Sequence, residues 1–345
     1  MNARVEPLTL TLREPLRTAY GDVAARELLL LRLEDRAGCV GWGEAAPLEA
    51  YDGVSSARCA AALDTYVAAL RGAPADAAGA ELLDACRDAD PLEQALAAVD
   101  IALWDLAGRR EGSPVAALLA GRPLDSVPVN ATIGATDRAG AAAQASAAVK
   151  AGFRCVKLKV GSGDDAGRVA AVRAAVGPGV ALRLDANGAW EIDEAVRTIE
   201  ALAPAGIELV EEPVHGLAGI RAVRRRVATR VAIDETAAEP GALASGAADA
   251  VCLKVSRAGG ISALLAQAAL VRATGAEVYV ASTLDGPLGV AAALHCAAAL
   301  RVEAPCGLAT LSLFADLADF GLGAAGGEIA VPRGRGLGVD GAALL

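Results

Sequence analysis

Charged side chains stand at the ends of several short β-rich runs in the second half of the sequence. The segments KLK, LDAN, VEEP, AIDE and LKV place Lys157, Lys159, Asp185, Asn187, Glu211, Glu212, Asp234, Glu235 and Lys254 at these ends. The C-terminal ends of parallel strands in a barrel meet at one mouth, so carboxylates from three successive strands would crowd together there. Such crowding is costly without a counter-ion, and Mg²⁺ suits it because this ion prefers oxygen ligands and keeps positions open for a substrate. The alternative, in which these acids cap helices or pair with arginines, explains one acid more readily than three.

Lysine is the expected acid–base group of such a site. Lys157 and Lys159 are two positions apart on one strand and share a face, and we expect their mutual repulsion and a nearby cation to depress both pKa values. Lys254 comes from the opposite side of the predicted barrel, so a lysine would face each side of the α-carbon of a bound carboxylate. The sequence has only two histidines. His295 lies in an apolar helical stretch and is expected in the core, whereas His215 follows a strand and could touch a substrate.

The elements that would position these groups change character near residue 125. The first part is typical of an antiparallel meander followed by helices, one of them bracketed by Pro91 and Gly108. From residue 127, seven clear β-rich runs and a degenerate eighth near GLATL alternate with Ala-rich helical segments, at a period of about 25 residues. The pattern predicts an α/β fold with an α+β capping domain over 1–125, a barrel over 126–320 and a segment over 321–345 that returns to the capping domain.

Composition narrows the class of protein and of partner. The formal net charge is -10, which argues against nucleic acid because phosphate binding needs a basic surface. Charges interrupt every Ala-rich stretch, so no membrane span is expected. The N-terminus lacks a secretory pattern, and the 7 scattered cysteines have no CxxC spacing. We therefore expect a cytoplasmic protein with reduced thiols that acts on a small molecule.

The ordered set KLKVG, LDANGAW, VEEP, AIDE and LKVSRAGG resembles the enolase superfamily, in its muconate-lactonising subgroup. GWGEA and the helix VDIALWDLAGRREG resemble the capping domain of that subgroup. The resemblance implies a modified (β/α)7β TIM barrel under an N-terminal cap, and by analogy a homo-oligomer. It also implies a reaction in which a proton α to a carboxylate is removed and the enediolate is stabilised by the metal.

The same resemblance assigns roles to individual residues. It implies that Mg²⁺, with Mn²⁺ as a substitute, is bound by Asp185, Glu211 and Asp234. Lys159 matches the acid–base lysine of the family, and Lys254 matches its partner. Lys157, Asn187 and Glu235 would support these groups.

The reactions of the subgroup are distinguished mainly at the last two strands. Dipeptide epimerases carry an acidic D-x-D pair at the eighth strand, whereas CGLATLSLF has no acid. This segment and ASTLDGPLG resemble o-succinylbenzoate synthases of the menaquinone pathway, which favours a dehydratase in which Lys159 takes the α-proton and Lys254 stays cationic. The alternatives are a racemase or epimerase of N-acylamino acids or dipeptides, and a muconate-type cycloisomerase. A barrel that binds a carboxylate without turnover is the alternative of another class.

The residues expected to contact a substrate come from both parts of the chain. In the cap they are Arg17, Tyr20 and Tyr51, in two segments whose closure would exclude water. In the barrel they are Ser282, Thr283, Asp285 and Thr310. Asp285 is the acid among them, and it would bind an amine or a hydroxyl group of the substrate.

Overall fold

The N-terminal part is built on a long hairpin and a third strand. In the computed structural model, which describes residues 1–18, 21–74, 76–134, 136–315 and 317–345, β1 (Asn2–Thr18) pairs antiparallel with β2 (Gly21–Glu34), which also pairs with β3 (Val40–Ala45). The run of leucines in β2 is buried on both faces of this sheet. Leu29 and Leu31 pack with the helices of the cap, and Leu30 packs with the core of the second part. The hairpin is therefore fixed between two layers.

Five helices follow this sheet: α1 (Glu49–Asp52), α2 (Ser56–Gly72), α3 (Gly79–Ala89), α4 (Glu93–Glu111) and α5 (Val115–Leu119). The axis of α4 crosses β3 at close range, since a Cβ atom on Gly43 would lie 1.9 Å from the carbonyl oxygen of Ala98. Gly108 lies near the end of α4, as expected, but the helix continues to Glu111 and ends at Gly112, which has a φ of 67°. Gly108 instead lies against Gly336, with room for no side chain between them.

The second part is a curled parallel sheet covered by helices. A short strand, β4 (Ser126–Pro128), precedes seven parallel strands: β5 (Ala131–Ile133), β6 (Cys155–Lys159), β7 (Ala181–Asp185), β8 (Ile207–Glu211), β9 (Arg230–Ile233), β10 (Ala250–Leu253) and β11 (Glu277–Val280). The helices between and after them are α6 (Arg138–Lys150), α7 (Asp165–Val176), α8 (Ile192–Leu202), α9 (Leu217–Arg224), α10 (Val255–Ala258), α11 (Ile261–Ala273) and α12 (Pro287–Ala299). The strands are neighbours in chain order, which confirms the predicted βα alternation.

The two edges of the parallel sheet are joined by one short segment. Gly307 forms a parallel bridge with Ala281, just beyond β11, and Cys306 forms a parallel bridge with Val129, just before β5. These residues lie at the start of the GLATL segment, where the degenerate eighth strand was predicted. The polar ends of all the parallel strands therefore point to one mouth.

The C-terminal segment contacts both parts of the molecule. Its strand β12 (Glu328–Ala330) pairs antiparallel with β4, and the N–H group of Leu337 donates to Asp105 on α4. The cap also contacts the barrel directly, since the N–H group of Ser262 at the start of α11 donates to Asp100 on α4. Across the described residues, every helix falls short of the length and apolarity that a bilayer crossing requires.

Candidate active site

A cavity lies at the carboxyl ends of the parallel strands, under residues of the cap. The barrel lines it with Thr132, Lys157, Lys159, Asp185, Asn187, Asp234, Lys254, Ala281, Ser282, Thr283, Leu284, Gly307 and Thr310, and the cap adds Leu16, Val23, Leu48, Ala50 and Tyr51. The barrel thus supplies the charged groups. The cap supplies apolar side chains and one hydroxyl group.

Two carboxylates and one ammonium group share the centre of the mouth. Lys159, Asp185 and Glu211 are paired in register across β6, β7 and β8, so these residues lie at one height. The Nζ atom of Lys157 lies 2.9 Å from Oδ2 of Asp185 and 3.0 Å from Oε1 of Glu211. The hydroxyl group of Tyr279 donates to the other oxygen of Glu211 at 2.7 Å.

A third carboxylate, Asp234, follows β9. Lys254, which follows β10, donates to both of its oxygens. The hydroxyl group of Tyr51, which belongs to α1 of the cap, donates to Oδ1 of Asp234 at 2.8 Å. Arg257 donates to the same hydroxyl group at 2.7 Å. One residue of the cap is therefore built into the charged centre of the barrel.

Lys159 reaches the mouth from the opposite side. It donates to Asp185 and to the amide oxygen of Asn187, both at 2.7 Å. The amide nitrogen of Asn187 donates in turn to Glu235 at 2.9 Å. Asn187 has a φ of 45°, a left-handed conformation that asparagine adopts more readily than most residues. The pair Asn187–Glu235 thus orients Lys159 from within the barrel, and Glu235 itself is not among the cavity-lining residues.

The loop that carries Asp234 is held by a buried acid beside it. The carboxylate of Glu212 accepts hydrogen bonds from the N–H groups of Asp234 and Thr236 and from the hydroxyl group of Thr236. Burial, together with the charge of Glu235, raises the pKa of Glu212 to about 8. Glu212 faces the loop, whereas Glu211 faces the mouth, so the two adjacent glutamates have separate surroundings.

The electrostatics of the centre correct one expectation from the sequence. Burial would lower the pKa of Lys157, but the carboxylates of Asp185 and Glu211 outweigh it and raise that pKa above its ordinary value. Burial also disfavours the ammonium form of Lys254, and Asp234 reverses this and raises its pKa. The predicted lowering of the Lys157 pKa is therefore wrong for these side-chain positions, because the two carboxylates outweigh the effect of burial.

The donor set fits a hard divalent cation. Glu211, Asp234 and Cys252 each offer a ligand atom, and these atoms lie within 4.8 Å of one another. Asp185 is not in this group, and the ammonium of Lys157 lies between Asp185 and Glu211. Burial and the neighbouring carboxylates raise the pKa of Glu211 to about 6, although Lys157 opposes them. Glu211 is thus short of positive charge, and a cation would supply it. Burial has the same effect on Asp185 and Asp234, but the neighbouring lysines outweigh it and lower the pKa of both acids.

The wall formed by the last two strands is lined by hydroxyl groups. Ser282 and Thr310 are hydrogen-bonded at 2.8 Å, and Thr283 is hydrogen-bonded to Ser256 at 3.0 Å. Asp285 is buried behind this wall and is not among the cavity-lining residues. Its Oδ1 atom accepts from the hydroxyl group of Thr283, and its Oδ2 atom has no hydrogen-bond partner among the described residues.

The remaining predicted positions are distributed as follows. Tyr20 lies outside the described residues, and Arg17 is described only as the backbone of β1, where it pairs with Asp22. His295 is buried, as expected for a core residue, and His215 has a side chain that is 56% exposed and hydrogen-bonded to Glu212. Neither histidine lines the cavity.

Tyr279 and Arg257 are polar neighbours of the centre that were not predicted from the sequence. Tyr279 alternates into the barrel along β11, a position that the period of the strand could have indicated. Arg257 stands three residues after Lys254, so the one-turn helix α10 brings it back over the same side. Their partners, Glu211 and Tyr51, lie on distant segments, which the sequence does not reveal.

Comparison with known proteins agrees with this geometry. Residues 2–120 match the mandelate racemase / muconate lactonizing enzyme N-terminal domain, and residues 140–342 match the family described as enolase C-terminal domain-like. An L-Ala-D/L-Glu epimerase of Bacillus subtilis is 35% identical, over 98% of this chain and 96% of that protein. An o-succinylbenzoate synthase of Thermobifida fusca is 34% identical, over 88% of this chain and 81% of that protein.

A solved structure extends the similarity to the whole fold. The dipeptide epimerase of Enterococcus faecalis, complexed with Mg and the dipeptide L-Leu-L-Tyr, superposes with a TM-score of 0.89 at 28% identity and covers 98% of this chain and 99% of its own. Relatives with different reactions are thus similar to this chain at nearly equal identity. The comparisons identify the shared chemistry and leave the substrate open.

Proposed function

The chain belongs to the mandelate racemase / muconate lactonizing enzyme family of the enolase superfamily, and from this premise we propose that its cavity removes the proton α to a substrate carboxylate. It is an enzyme, because its relatives are epimerases, cycloisomerases and o-succinylbenzoate synthases. The alternative of a barrel that binds without turnover is therefore set aside.

One observation carries the proposal. Three acids stand at the ends of the consecutive strands β7, β8 and β9, the third of them directly after its strand. A lysine approaches from each side of them, Lys159 on β6 and Lys254 after β10. A carboxylate substrate centred on this group would present one side of its α-carbon to each lysine. That arrangement suits proton removal on either side.

Asp185, Glu211 and Asp234 would hold Mg²⁺, and Mn²⁺ is proposed as a substitute. When bound, the ion would neutralise the acids that raise the lysine pKa values and would draw electron density from the substrate carboxylate. Lys157, which is buried between two of the acids, keeps them oriented and adds positive charge. Asn187 and Glu235 hold Lys159 in its position.

For the particular reaction, the protein is proposed to be a dehydratase of the o-succinylbenzoate synthase type. The segment 306–314 has no acidic residue that could hold a substrate ammonium group. The wall beside it offers the hydroxyl groups of Ser282 and Thr310, which suit an uncharged polar group. In this reaction Lys159 takes the α-proton, and a hydroxyl group leaves the β-carbon as water after it gains a proton from a protonated lysine.

Racemisation of N-acylamino acids or epimerisation of dipeptides is the second candidate. It is favoured by the lysines on both sides of the centre and by the similarity to dipeptide epimerases. It differs from dehydration in requiring both lysines to exchange protons with the α-carbon.

A single screen separates these reactions. Dipeptides, N-acylamino acids and cyclohexadiene carboxylates are incubated with the enzyme and Mg²⁺ in D₂O, and loss of the α-proton signal and formation of the dehydrated product are followed by NMR. Lys159→Ala is expected to lose at least a hundredfold in turnover, because positioned general bases contribute about 10²–10⁴, while its melting temperature and Mg²⁺ affinity are retained. Lys150→Met, at an exposed helix end, is the matched control and keeps full turnover. Exchange of the α-proton of N-acylamino acids without any dehydration would favour a racemase over a dehydratase. Wild-type activity in Lys159→Ala would contradict the proposed proton abstraction itself.

A further inference from the structure

Tyr51 makes contacts that a substrate-binding residue does not need. Its hydroxyl group donates to Asp234 and accepts from Lys254 at 2.6 Å and from Arg257 at 2.7 Å. A phenol hydroxyl group has one donor and two acceptor positions, so these three bonds use all of them. The hydroxyl group therefore fixes the ammonium of Lys254 and the carboxylate of Asp234 relative to each other.

The ring of Tyr51 adds a second restraint on the same side. The Nζ atom of Lys254 lies 4.5 Å from the ring centroid, and the guanidinium carbon of Arg257 lies 4.7 Å from it. Both distances are within the range of a cation–π contact. Lys254 is thus restrained by the ring and by the hydroxyl group together.

Tyr51 is itself anchored in the cap. Its neighbour Asp52 accepts hydrogen bonds from the N–H groups of Leu48 and Val54 and from the side chain of Gln94 on α4. These bonds close the turn of α1 and tie it to the longest helix of the cap. The position of the tyrosine is therefore set by the capping domain.

Lys159 is restrained differently. Its two partners, Asp185 and Asn187, both belong to the barrel. The cap thus acts on one lysine of the pair through a defined hydrogen bond, and the barrel acts on the other. We propose that Tyr51 is a positioning residue for Lys254 alone, supported by Arg257, so that the capping domain sets proton transfer on one side of the substrate carbon.

This inference rests on the α-proton abstraction proposed above. In that exchange the C–H bond breaks, its electron pair moves into the carboxylate group, and the proton passes to the neutral amine of a lysine. A deuteron from the solvent-exchanged lysine then returns to the carbon. Each enantiomer presents its α-proton to one lysine, so a change at Lys254 alters the rate of deuterium exchange of only one enantiomer.

The test compares the two enantiomers of N-acylamino acids in Tyr51→Phe. Lys159→Ala and Lys254→Ala first establish which enantiomer depends on which lysine. Tyr51→Phe is expected to slow deuterium exchange of the Lys254-dependent enantiomer by about tenfold to a hundredfold, the loss typical of a misplaced catalytic group, and to leave the other enantiomer unchanged. Arg257→Met is expected to slow deuterium exchange of the same enantiomer by a smaller factor. Tyr66→Phe removes a hydroxyl group that bonds to the backbone of Asp90 within the cap and does not line the cavity, so it should alter the exchange of neither enantiomer.

A second measurement does not depend on turnover. In a crystal structure of Tyr51→Phe with Mg²⁺, the Lys254 ammonium is expected to have moved away from Asp234, while Lys159 stays in place. Equal slowing of both enantiomers would overturn the inference in favour of a substrate contact, and so would an unmoved Lys254. If the wild type exchanges none of the N-acylamino acids, the crystal structure alone decides the role of Tyr51. The proposed abstraction itself fails only if the wild type also dehydrates none of the compounds in the screen.

Discussion

His295 shows how burial fixes the protonation state of a single residue. Its Nδ1 atom accepts from the N–H group of Ala116 at 3.1 Å, and its Nε2 atom is 3.2 Å from the carbonyl oxygen of Leu337. This geometry requires a neutral ring with the proton on Nε2, because a proton on Nδ1 would face the N–H group of Ala116. Burial accordingly lowers the pKa of His295 to about 4.

The lowered pKa predicts a loss of stability in mild acid. The unfolded chain binds a proton near the ordinary pKa of 6.5 and the folded chain only near 4, so the free energy of unfolding falls as the pH drops from 6.5 to 4. A shift of this size corresponds to about 3 kcal/mol. Urea unfolding between pH 4 and 7 should show this slope in the wild type and a flatter one in His295→Gln, whose amide can make both hydrogen bonds. The exposed His215→Gln is the control, and an unchanged slope in His295→Gln would refute the assignment.

At the level of residues, the sequence predicts which side chains lie at the strand ends, and at what height in the barrel, better than it predicts their interaction partners. Strand ends and the parallel register explain why Lys159, Asp185 and Glu211 lie together, and their catalytic roles stay a prediction. The lysine pKa values depend on which charge is nearest, and that distance is set by the packed side chains. The contact of Tyr51 with Asp234 joins residues far apart in sequence, so no local pattern could indicate it.

Among the elements, the junction of β3 and α12 is held by one buried acid. Glu44 at the end of β3 accepts hydrogen bonds from the N–H groups of Gly286 and Gly289, in the first turn of α12. Arg26 on β2 faces the same space and donates to the backbone of residues 46, 47 and 284. Burial, followed by the charge of Asp285 from the loop after β11, raises the pKa of Glu44 to about 8. The cap and the barrel are thus joined through a carboxyl group that favours its neutral form.

This junction predicts a loss of stability as the pH rises from 4.5 to 8. The folded state binds the Glu44 proton up to about pH 8 and the unfolded state only to 4.5, so this contribution is complete below pH 4.5 and is lost as the pH rises through 8. Glu44→Gln cannot ionise and should gain about 2 kcal/mol relative to the wild type between pH 6 and 8, at about 1.4 kcal/mol per unit. Urea unfolding at the two pH values measures the difference. Glu27→Gln, on an exposed position of β2, should show no difference. A difference for Glu44→Gln that stays constant with pH would contradict the raised pKa of Glu44.

The helices and strands could be predicted from the sequence where they depend on a local pattern of hydrophobic residues and turns. The βα alternation and the antiparallel start follow from hydrophobic period and turn residues. Gly108 lies near the end of α4, as expected, but it is not the residue that ends the helix. Its lack of a side chain instead serves the contact with Gly336, and a glycine required by a distant segment is indistinguishable in sequence from one that ends a helix.

At the scale of the molecule, the C-terminal segment connects the two parts. It adds β12 to β4, and beyond that strand its backbone bonds to Asp105 and Arg109 of α4. Its last turn lies on Trp42 of β3, where a Cβ atom on Gly341 would come within 2.3 Å of the indole ring. The sequence predicted a return to the cap from position alone, and the particular surface of contact could not be inferred because it joins the two ends of the chain.

Two glycines of this segment allow the contact to be tested. Gly341→Ala should destabilise the protein by about 1–3 kcal/mol, because an added methyl group overpacks the site against the buried Trp42. Gly323→Ala is the matched control: a Cβ atom there meets nothing within 4 Å, and its φ lies outside the left-handed region. The control should be neutral or slightly stabilising, since alanine restricts the unfolded chain. Urea unfolding followed by tryptophan fluorescence reports both the midpoint and the surroundings of Trp42. Equal urea midpoints for the two variants would mean that the contact of the C-terminal segment with β3 does not stabilise the protein. The cap and the barrel would then be held together without this contact.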